Sequence, residues 1–225
     1  MHRKLFNIFP DNLKDLRTIL LMESRKIPDL FFLQVGANDG VRADSIHDFV
    51  VNLNWKGMLL EPLKEPFEKL KINYAAQKNL IFENLAIHPI EGRRNIYKIR
   101  KNSDNMPDWY DQTASFKYEA MIELEYAIPN VEDYLEEVEV ECSTVASLIK
   151  KHDIQKIDLV CIDVEGFDFE VIKLLDFNKK PKLILFESCH LGDADKSACG
   201  EFLKTRGYKL LEKGRDTLAV LEMAG

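Results

Sequence analysis

Two carboxylates at the end of one strongly apolar segment are the first candidates for chemistry. Asp163 and Glu165 lie at the end of Ile157–Val164, which is predicted to be a buried strand. Burying carboxylates without a function is costly, so their position indicates proton transfer or ligand binding. His190, just beyond the predicted strand Lys182–Phe186, is a third candidate base because histidine titrates near neutral pH. The simpler alternatives are that Asp163 only caps the next helix and that His190 lies in a surface loop.

A glycine turn follows the first predicted strand, Leu30–Val35. Gly36 allows a sharp turn without a Cβ penalty, and Gly40 allows close approach of a ligand or of the next helix. The turn lacks the three-glycine spacing of dinucleotide-binding proteins, and ordinary strand-to-helix turns also use glycine. Glu61 ends the second predicted strand, 21 positions beyond Gly40, where a carboxylate can accept hydrogen bonds from ribose hydroxyls. Although Glu61 by itself also fits a solvated strand end, the combination predicts an adenosine-like ligand.

The third predicted strand, Leu80–Phe82, leads into a short polar and apolar stretch that suits a nucleobase. Asn84 can hydrogen-bond the edge of an adenine ring, and Leu85 or Ala86 can pack on its face. An ordinary strand exit explains these three residues equally well.

The composition describes a globular chain without a basic face. Of the 225 residues, 46% are hydrophobic, which excludes a disordered chain, and the net charge of −7 argues against general nucleic-acid binding. Nine of the acidic residues lie within residues 119–141, which contain no Lys or Arg. The acidity therefore belongs to one segment, and the expectation of no nucleic-acid partner rests on the lack of an extended basic stripe or a nucleic-acid motif.

The sequence also predicts a soluble, cytoplasmic protein. No apolar run exceeds four residues, so we expect no membrane span, and the first residues lack the apolar core of a signal peptide. The four cysteines form no C-x-x-C pair, which fits a reducing compartment. His190 with Cys189 and Cys199 matches no zinc-ligand spacing, so we expect no metal site.

Apolar strand-like segments alternate with helical patterns along the chain. Predicted helices cover residues 44–53, 66–76, 144–150, 167–175 and 195–206. Strands separated by helices imply right-handed crossovers and a parallel sheet, and a terminal hairpin at residues 207–221 adds an antiparallel strand. In such sheets ligands bind beyond the carboxyl ends of the strands, where the candidate residues lie.

The strand-end motifs resemble those of the FkbM-type methyltransferases, which use S-adenosylmethionine. The resemblance covers roughly residues 30–222 and rests on Val35-Gly36-Ala37-Asn38-Asp39-Gly40, on Trp55-Lys56-Gly57 leading into Leu60-Glu61-Pro62, and on Ile157-Asp158 leading into Ile162-Asp163-Val164-Glu165-Gly166. It implies an α/β, Rossmann-like class I methyltransferase fold: a seven-stranded, mostly parallel sheet with one antiparallel strand and helices on both faces. We expect an N-terminal helical extension at residues 1–29 and a methyltransferase domain at residues 30–225, with an irregular insertion or lid at about 102–137.

In this family the loop after the first strand surrounds the methionine part of the cofactor. The matching residues are Gly36, Ala37, Asn38, Asp39 and Gly40. Gln34 replaces an acidic residue that is common at the start of this loop and that helps hold the cofactor ammonium. Glutamine still accepts a hydrogen bond through its carbonyl oxygen, but it lacks the charge.

The resemblance places the rest of the cofactor at other strand ends. It implies that Glu61, with Pro62 beside it, holds the ribose and that residues 84–86 (Asn84, Leu85 and Ala86) border the adenine. Asp163 is then expected near the cofactor amino group or the methyl acceptor.

The predicted reaction is methyl transfer from S-adenosylmethionine, with O-methylation of a saccharide or small-molecule hydroxyl. A sulfonium is an activated leaving group, so the protein mainly aligns the reactants, and an alcohol acceptor benefits from a general base. Asp163, Glu165 and His190 are the candidate bases. Two alternatives stay open at this point: a cofactor-binding domain without catalysis, and a nucleotide-dependent oxidoreductase on a Rossmann sheet.

Overall fold

The computed structural model describes residues 15–100 and 106–222. Its strands are β1 (Phe31–Val35), β2 (Lys56–Leu60), β3 (Leu80–Glu83), β4 (Ala86–Ile87), β5 (Gly92–Ile99), β6 (Ala114–Ser115), β7 (Leu135–Ser143), β8 (Leu159–Ile162), β9 (Leu183–Glu187), β10 (Tyr208–Lys213) and β11 (Asp216–Leu221). Its α-helices are α1 (Leu16–Ser24), α2 (His47–Leu53), α3 (Lys64–Asn73), α4 (Tyr118–Ile122), α5 (Val145–Lys151), α6 (Asp168–Lys173) and α7 (Asp193–Lys204).

Seven strands form the main sheet in the order β10-β11-β9-β8-β1-β2-β3. β11 runs antiparallel to both of its neighbours, and the other described pairs of this sheet are parallel. Val35 pairs with both Leu60 and Ile162, so β1, β2 and β8 reach the same edge together. The predicted sheet with one antiparallel strand is confirmed.

Apolar side chains cover both faces of the main sheet. On one face, residues of α5, α6 and α7 pack with alternate strand residues such as Leu33, Met58 and Val160. On the other face, α1, α2 and α3 pack with the intervening residues, including Phe32 and Leu59. This alternation follows from the two-residue period of a strand, and it confirms the predicted helices on both faces.

The chain before β1 contributes helix α1, which packs on the second face through its buried side chains. Residues 1–14 of the predicted N-terminal extension lie outside the described residues. Among the residues that are described, no helix is both long and apolar enough to cross a membrane.

A second, four-stranded sheet in the order β4-β7-β5-β6 is built from the middle of the chain. It accounts for part of the uneven charge distribution, because four of the nine acidic residues lie in β7, which runs antiparallel to basic β5. Arg93 pairs with Glu139 and Glu141, and Lys98 pairs with Glu136. Of the predicted insertion, residues 106–134 form the edge strand β6 of this sheet, with α4 and short 3₁₀ turns beside it, whereas residues 102–105 lie outside the described part of the chain.

Several elements, among them β8 and α2, are shorter than their sequence patterns predict. β8 ends at Ile162: the amide of Asp163 still donates to Val35 O at 3.0 Å, but the chain then turns at Glu165, whose φ of +48° is not an extended conformation. Helix α2 begins at His47 rather than at residue 44, because Asp44 Oδ1 accepts the first amides, at 2.7 Å from Ile46 N and 2.8 Å from His47 N.

Candidate active site

A cavity of about 450 Å³ opens at the carboxyl ends of β1, β2, β8 and β9. Its lining includes nine of the residues predicted from the sequence, namely Gln34, Gly36, Ala37, Asn38, Glu61, Pro62, Asp163, Glu165 and His190. The other predicted site residues, which are Asp39, Gly40, Asn84, Leu85 and Ala86, do not line this cavity. The structure therefore brings the predicted acidic strand ends and the glycine turn into one space.

The glycine turn holds three strand ends together. The amides of Gly36 and Ala37 both donate to Leu60 O, at 3.1 and 2.9 Å. Gly36 has a φ of +79°, and a Cβ at this position would overlap the carbonyl oxygen of Asp163. Only glycine fits there, because the conformation disfavours a side chain and the neighbouring backbone leaves no room for one.

Asp39 and Gly40 shape the loop from behind the cavity wall. Asp39 accepts hydrogen bonds from the backbone amide of Arg42 at 2.9 Å and from its Nε at 2.7 Å. Gly40 packs against Leu70 and Tyr74, so its close approach is to α3 and the chain following it. Their observed contacts are therefore structural.

Glu61 is a buried carboxylate on the cavity wall. Its Oε2 accepts from Asn38 N at 2.9 Å and its Oε1 accepts from Leu63 N at 2.8 Å. Burial raises the pKa of Glu61 to about 7, against the opposing effect of these two hydrogen bonds. The carboxylate thus links the ends of β1 and β2 and titrates near neutral pH.

Gln34 and Asp44 form a polar pair in the same wall. Gln34 Nε2 donates to Asp44 Oδ2 at 3.0 Å, and Gln34 Oε1 is buried without a hydrogen-bond partner among the described residues. Burial raises the pKa of Asp44, and the hydrogen bond from Gln34 acts in the opposite direction. The pair offers a carboxylate and an amide oxygen to a cationic group.

The residues predicted to border adenine lie beside the main cavity. Asn84 Nδ2 donates to Glu61 O at 2.8 Å and to Pro62 O at 2.9 Å, so its amide group fixes the backbone beyond β2. Leu85 and Ala86 line a smaller cavity of about 30 Å³, whose wall also includes Pro62 and Gly36. The two cavities therefore share part of their walls.

Asp163, Glu165 and Glu187 form an acidic cluster at the other end of the main cavity. One oxygen from each lies within 4.8 Å of the others. Asp163 is enclosed by protein except where its side chain faces the cavity. This enclosure and the charges of Glu187 and Glu165 raise the pKa of Asp163. Burial raises the pKa of Glu165 to about 7, with a further contribution from Glu187.

His190 and Arg215 flank this cluster. His190 Nε2 lies 3.3 Å from Glu165 Oε2, 3.5 Å from Glu187 Oε2 and 3.1 Å from a terminal nitrogen of Arg215. Arg215 Nε also donates to Glu187 Oε1 at 2.7 Å. The structure thus places the three predicted catalytic side chains, Asp163, Glu165 and His190, close together and beside Glu187 and Arg215.

The middle of the chain closes part of the cavity. Its contributors to the lining are Trp109, Gln112, Thr113, Ala114, Leu124 and Tyr126. Arg42 ties this segment to the glycine turn through two bonds of 3.1 Å to the Asp111 carboxylate. Ser115 Oγ donates to Glu165 O at 2.7 Å, which links the second sheet to the acidic cluster.

Sequence reasoning missed Asp44, Glu187 and Arg215. A signal for Glu187 was available, because it ends a buried strand in the same way as Asp163 does. Asp44 and Arg215 lie in a loop and a hairpin turn, and nothing in their spacing marks them before the fold is known.

The sheet order and the cavity at its carboxyl edge define a class I methyltransferase fold. The family model of the methyltransferase FkbM domain matches residues 34–210. The chain belongs to this family. The match implies a methyl donor and does not favour the oxidoreductase alternative.

Solved methyltransferase structures are similar to this chain, and the one with a TM-score above 0.5 supports the fold assignment. The FkbM methyltransferase from Methylobacillus flagellatus KT has a TM-score of 0.54 and 11% identity, over 85% of this chain and 43% of that one. A precorrin-6y C5,15-methyltransferase from Geobacter metallireducens GS-15 has a TM-score of 0.46 and 13% identity, over 92% and 88% of the two chains. No curated protein sequence matches this chain.

Proposed function

We propose that this protein transfers a methyl group from S-adenosylmethionine to a hydroxyl oxygen of a saccharide or another small molecule. The observation that carries the proposal is one continuous cavity, which extends from Gln34 and Glu61 to the acidic cluster and His190. A donor site and an acceptor site must adjoin for an in-line displacement, and a single cavity that joins these two groups of residues supports such an arrangement.

The donor end fits the polar groups of S-adenosylmethionine. Gln34 Oε1 is an unused acceptor beside the Asp44 carboxylate, which suits an ammonium group. Glu61 faces the cavity as a carboxylate, which suits ribose hydroxyls. We keep Leu85 and Ala86 as the adenine border, because their smaller cavity shares walls with the main one.

The acceptor end fits a hydroxyl that must lose a proton. The bound donor supplies an activated methyl group, so the protein orients the acceptor oxygen and removes its proton. Asp163, Glu165 and His190 are close enough together to share this role, and we assign proton acceptance to this group.

Two aromatic side chains at the cavity favour a small ring-shaped acceptor. Trp109 lines the wall, and Tyr126, which is 74% exposed, lies at the edge. Aromatic faces of this kind pack on the apolar face of a sugar ring. We further propose that the acceptor is not a nucleic acid and that the protein acts in the cytoplasm, a location that the four unpaired cysteines support.

Calorimetric titration with S-adenosylhomocysteine tests the donor site. We expect binding to the unmodified chain and an affinity at least about tenfold weaker in Glu61→Gln, because the ribose loses an ionised acceptor. Glu83→Gln is the matched control, since Glu83 ends the next strand but pairs with Lys151 instead of lining the cavity. A folded sample that fails to bind at millimolar ligand contradicts the proposal.

Incubation with isotopically labelled S-adenosylmethionine tests the acceptor class. Monosaccharides, sugar nucleotides and small alcohols form the acceptor panel, with carboxylic acids and a short RNA for comparison. A base-stable labelled ether supports O-methylation of a hydroxyl. A base-labile ester, a labelled RNA, or donor binding with no turnover on any acceptor contradicts it, and the last result indicates a cofactor-binding domain without catalysis.

A further inference from the structure

The acidic cluster places three carboxylate side chains at one point of the cavity. One oxygen from each of Asp163, Glu165 and Glu187 lies within 4.8 Å of the other two. The sheet dictates part of this arrangement, because Ile162 pairs with Phe186 and the next residues on these neighbouring parallel strands are Asp163 and Glu187. Like charges at this distance repel one another unless protons or a cation compensate them.

Basic side chains compensate only part of this charge. Arg215 donates to Glu187 Oε1 at 2.7 Å. Within the part of the chain that the structure describes, neither Asp163 nor Glu165 forms an ion pair with a lysine or an arginine. When all three carboxylates are ionised, the one guanidinium leaves a net charge of about −2, which a single divalent cation balances.

A buried acceptor atom points into the cluster without a hydrogen bond, although His190 Nε2 lies 3.5 Å from it. Glu187 is 5% exposed, and its Oε2 accepts no hydrogen bond from any described residue. Leaving such an atom unpaired is costly, so it indicates a ligand that is not part of the chain.

The environment of His190 leads to the same conclusion. Its Nε2 lies 3.1 Å from an Arg215 donor, 3.3 Å from Glu165 Oε2 and 3.5 Å from Glu187 Oε2. An imidazole nitrogen carries either a proton or a lone pair. With a lone pair, Nε2 accepts a hydrogen bond from Arg215 and donates none to the carboxylates. With a proton, Nε2 donates to a carboxylate and faces the Arg215 donor without accepting from it. His190 therefore does not satisfy the cluster in either state.

We propose that Asp163, Glu165 and Glu187 bind a divalent cation, Mg²⁺ or Mn²⁺. Carboxylate oxygens are the ligands that these cations prefer. With the three carboxylates bound, at least about a third of the usual octahedral positions stay open to water or substrate. The zinc-type spacing considered for His190, Cys189 and Cys199 does not describe this site, because Cys199 is buried in the core. The ligands come from two strand ends and one loop, which explains why sequence spacing predicts no metal site.

The role of the cation rests on the proposed function. A cation beside the methyl acceptor binds the acceptor oxygen and lowers the pKa of its hydroxyl group. With the donor bound, the acceptor oxygen would bond to the methyl carbon while the carbon–sulfur bond breaks and its electron pair stays on sulfur. Because Asp163 and Glu165 would then be cation ligands, His190 is the member of the proton-accepting group that would take the hydroxyl proton. Open neighbouring positions on the cation favour an acceptor with two adjacent oxygens, such as a vicinal diol of a sugar.

Titration of the metal-free chain with Mn²⁺, followed by the electron paramagnetic resonance signal of free Mn²⁺, tests the site. The unmodified chain is treated with a chelator, dialysed and titrated at about pH 7.5, with no acceptor present. We expect one saturable site, with affinity lowered about tenfold or more in Glu187→Gln and in Asp163→Asn. Mg²⁺ in excess is expected to displace the Mn²⁺.

A matched control separates the cluster from general surface charge. Glu212→Gln removes a carboxylate that pairs with Lys196, and we expect it to bind Mn²⁺ like the unmodified chain. Asp163→Asn faces the cavity, so it serves as the informative variant should Glu187→Gln fail to fold. Lack of saturable binding by the folded chain, or equal loss in Glu212→Gln and the cluster variants, overturns the proposal.

Binding of S-adenosylhomocysteine in the presence of chelator distinguishes this proposal from the proposed function. Cofactor binding without a Mn²⁺ site leaves the methyltransferase proposal standing and rejects the cation. A Mn²⁺ site without cofactor binding supports the cation site and rejects the proposed function. Zinc binding that is lost in Cys189→Ser, with no Mn²⁺ site, also rejects a site built from the three carboxylates.

Discussion

Gln34 donates its side-chain amide to Asp44, with 3.0 Å between Nε2 and Oδ2, in the wall of the cavity. Gln34 is neutral where an acidic residue is common, and this contact places the Asp44 carboxylate beside it. The fold supplies a carboxylate ten residues later and holds it beside the glutamine. The amide oxygen of Gln34 stays unpaired among the described residues and adjoins this carboxylate.

Asp44→Asn is therefore expected to weaken binding of the amino-acid part of the cofactor. The variant keeps an oxygen for the amides of Ile46 and His47, and Gln34 can rotate its amide to accept from the new NH₂ group. What it loses is the negative charge. We expect about a tenfold loss of affinity for S-adenosylhomocysteine, or about 1.4 kcal/mol, measured by calorimetry.

5′-Methylthioadenosine provides the control ligand for this variant, because it lacks the amino-acid group. Its affinity is expected to be unchanged by Asp44→Asn. Equal losses for the two ligands contradict the assignment, since they indicate a general disturbance of the cavity.

Glu61 predicts a pH dependence of cofactor binding. Its pKa is raised to about 7, so a large part of the population carries a protonated Glu61 at about pH 6. Ribose hydroxyls donate to the ionised form, and binding therefore releases a proton. Affinity for S-adenosylhomocysteine should rise about tenfold from about pH 6 to about pH 8.

The effect of Glu61 on folding stability changes with pH in the opposite direction to its effect on cofactor affinity. A carboxyl group whose folded pKa exceeds its ordinary value of 4.5 favours the folded state at low pH. The Glu61 contribution to the free energy of unfolding thus falls as the pH rises from 4.5 to about 7.

Calorimetry of cofactor binding in buffers of different ionisation enthalpy measures the proton that binding releases, and Glu61→Gln should abolish this release. A release that persists in this variant assigns the proton to another group.

The sequence predicted the strand ends better than it predicted the walls between them. Gly36, Glu61 and Asp163 follow apolar runs, so local periodicity places each of them at the end of a strand, and parallel pairing brings those ends together. Glu187 obeys the same rule at the end of β9. These positions depend on local pattern and on one general property of α/β sheets.

The second sheet could not be predicted in the same way. β5 and β7 are separated by 35 residues, and their pairing depends on register and on cross-strand ion pairs such as Arg93 with Glu139. The adenine border was assigned from a strand exit, but the Asn84 amide bonds to backbone carbonyls. A single strand exit does not determine which way its side chains point, because that depends on the neighbouring chain.

Gly36→Ala is expected to destabilise the protein strongly. The added Cβ would overlap Asp163 O, and the φ of +79° disfavours any side chain. Gly214→Ala is the matched control, because Gly214 also has a positive φ, of +64°, but open space around it. We expect a loss of about 1–2 kcal/mol in the control and a larger loss, of about 3 kcal/mol or more, at Gly36.

Chemical denaturation of the two variants measures the difference in their free energies of unfolding. Equal losses would mean that backbone conformation alone makes glycine necessary at position 36. A larger loss in Gly36→Ala assigns the excess to the close approach of β1 and β8, on which the cavity depends.

Ser115 connects the second sheet to the acidic cluster. Its Oγ donates to Glu165 O at 2.7 Å and accepts from Lys117 N at 3.0 Å, and the residue is 3% exposed. Ser115→Ala leaves both backbone groups unpaired, so we expect a loss of about 1–3 kcal/mol in the free energy of unfolding. Ser143→Ala is the control, because the Ser143 hydroxyl makes only a longer, exposed contact of 3.4 Å with Glu91. Urea denaturation that shows the same small change in both variants contradicts a supporting role for Ser115, since Glu165 would then hold its left-handed conformation without help from the second sheet.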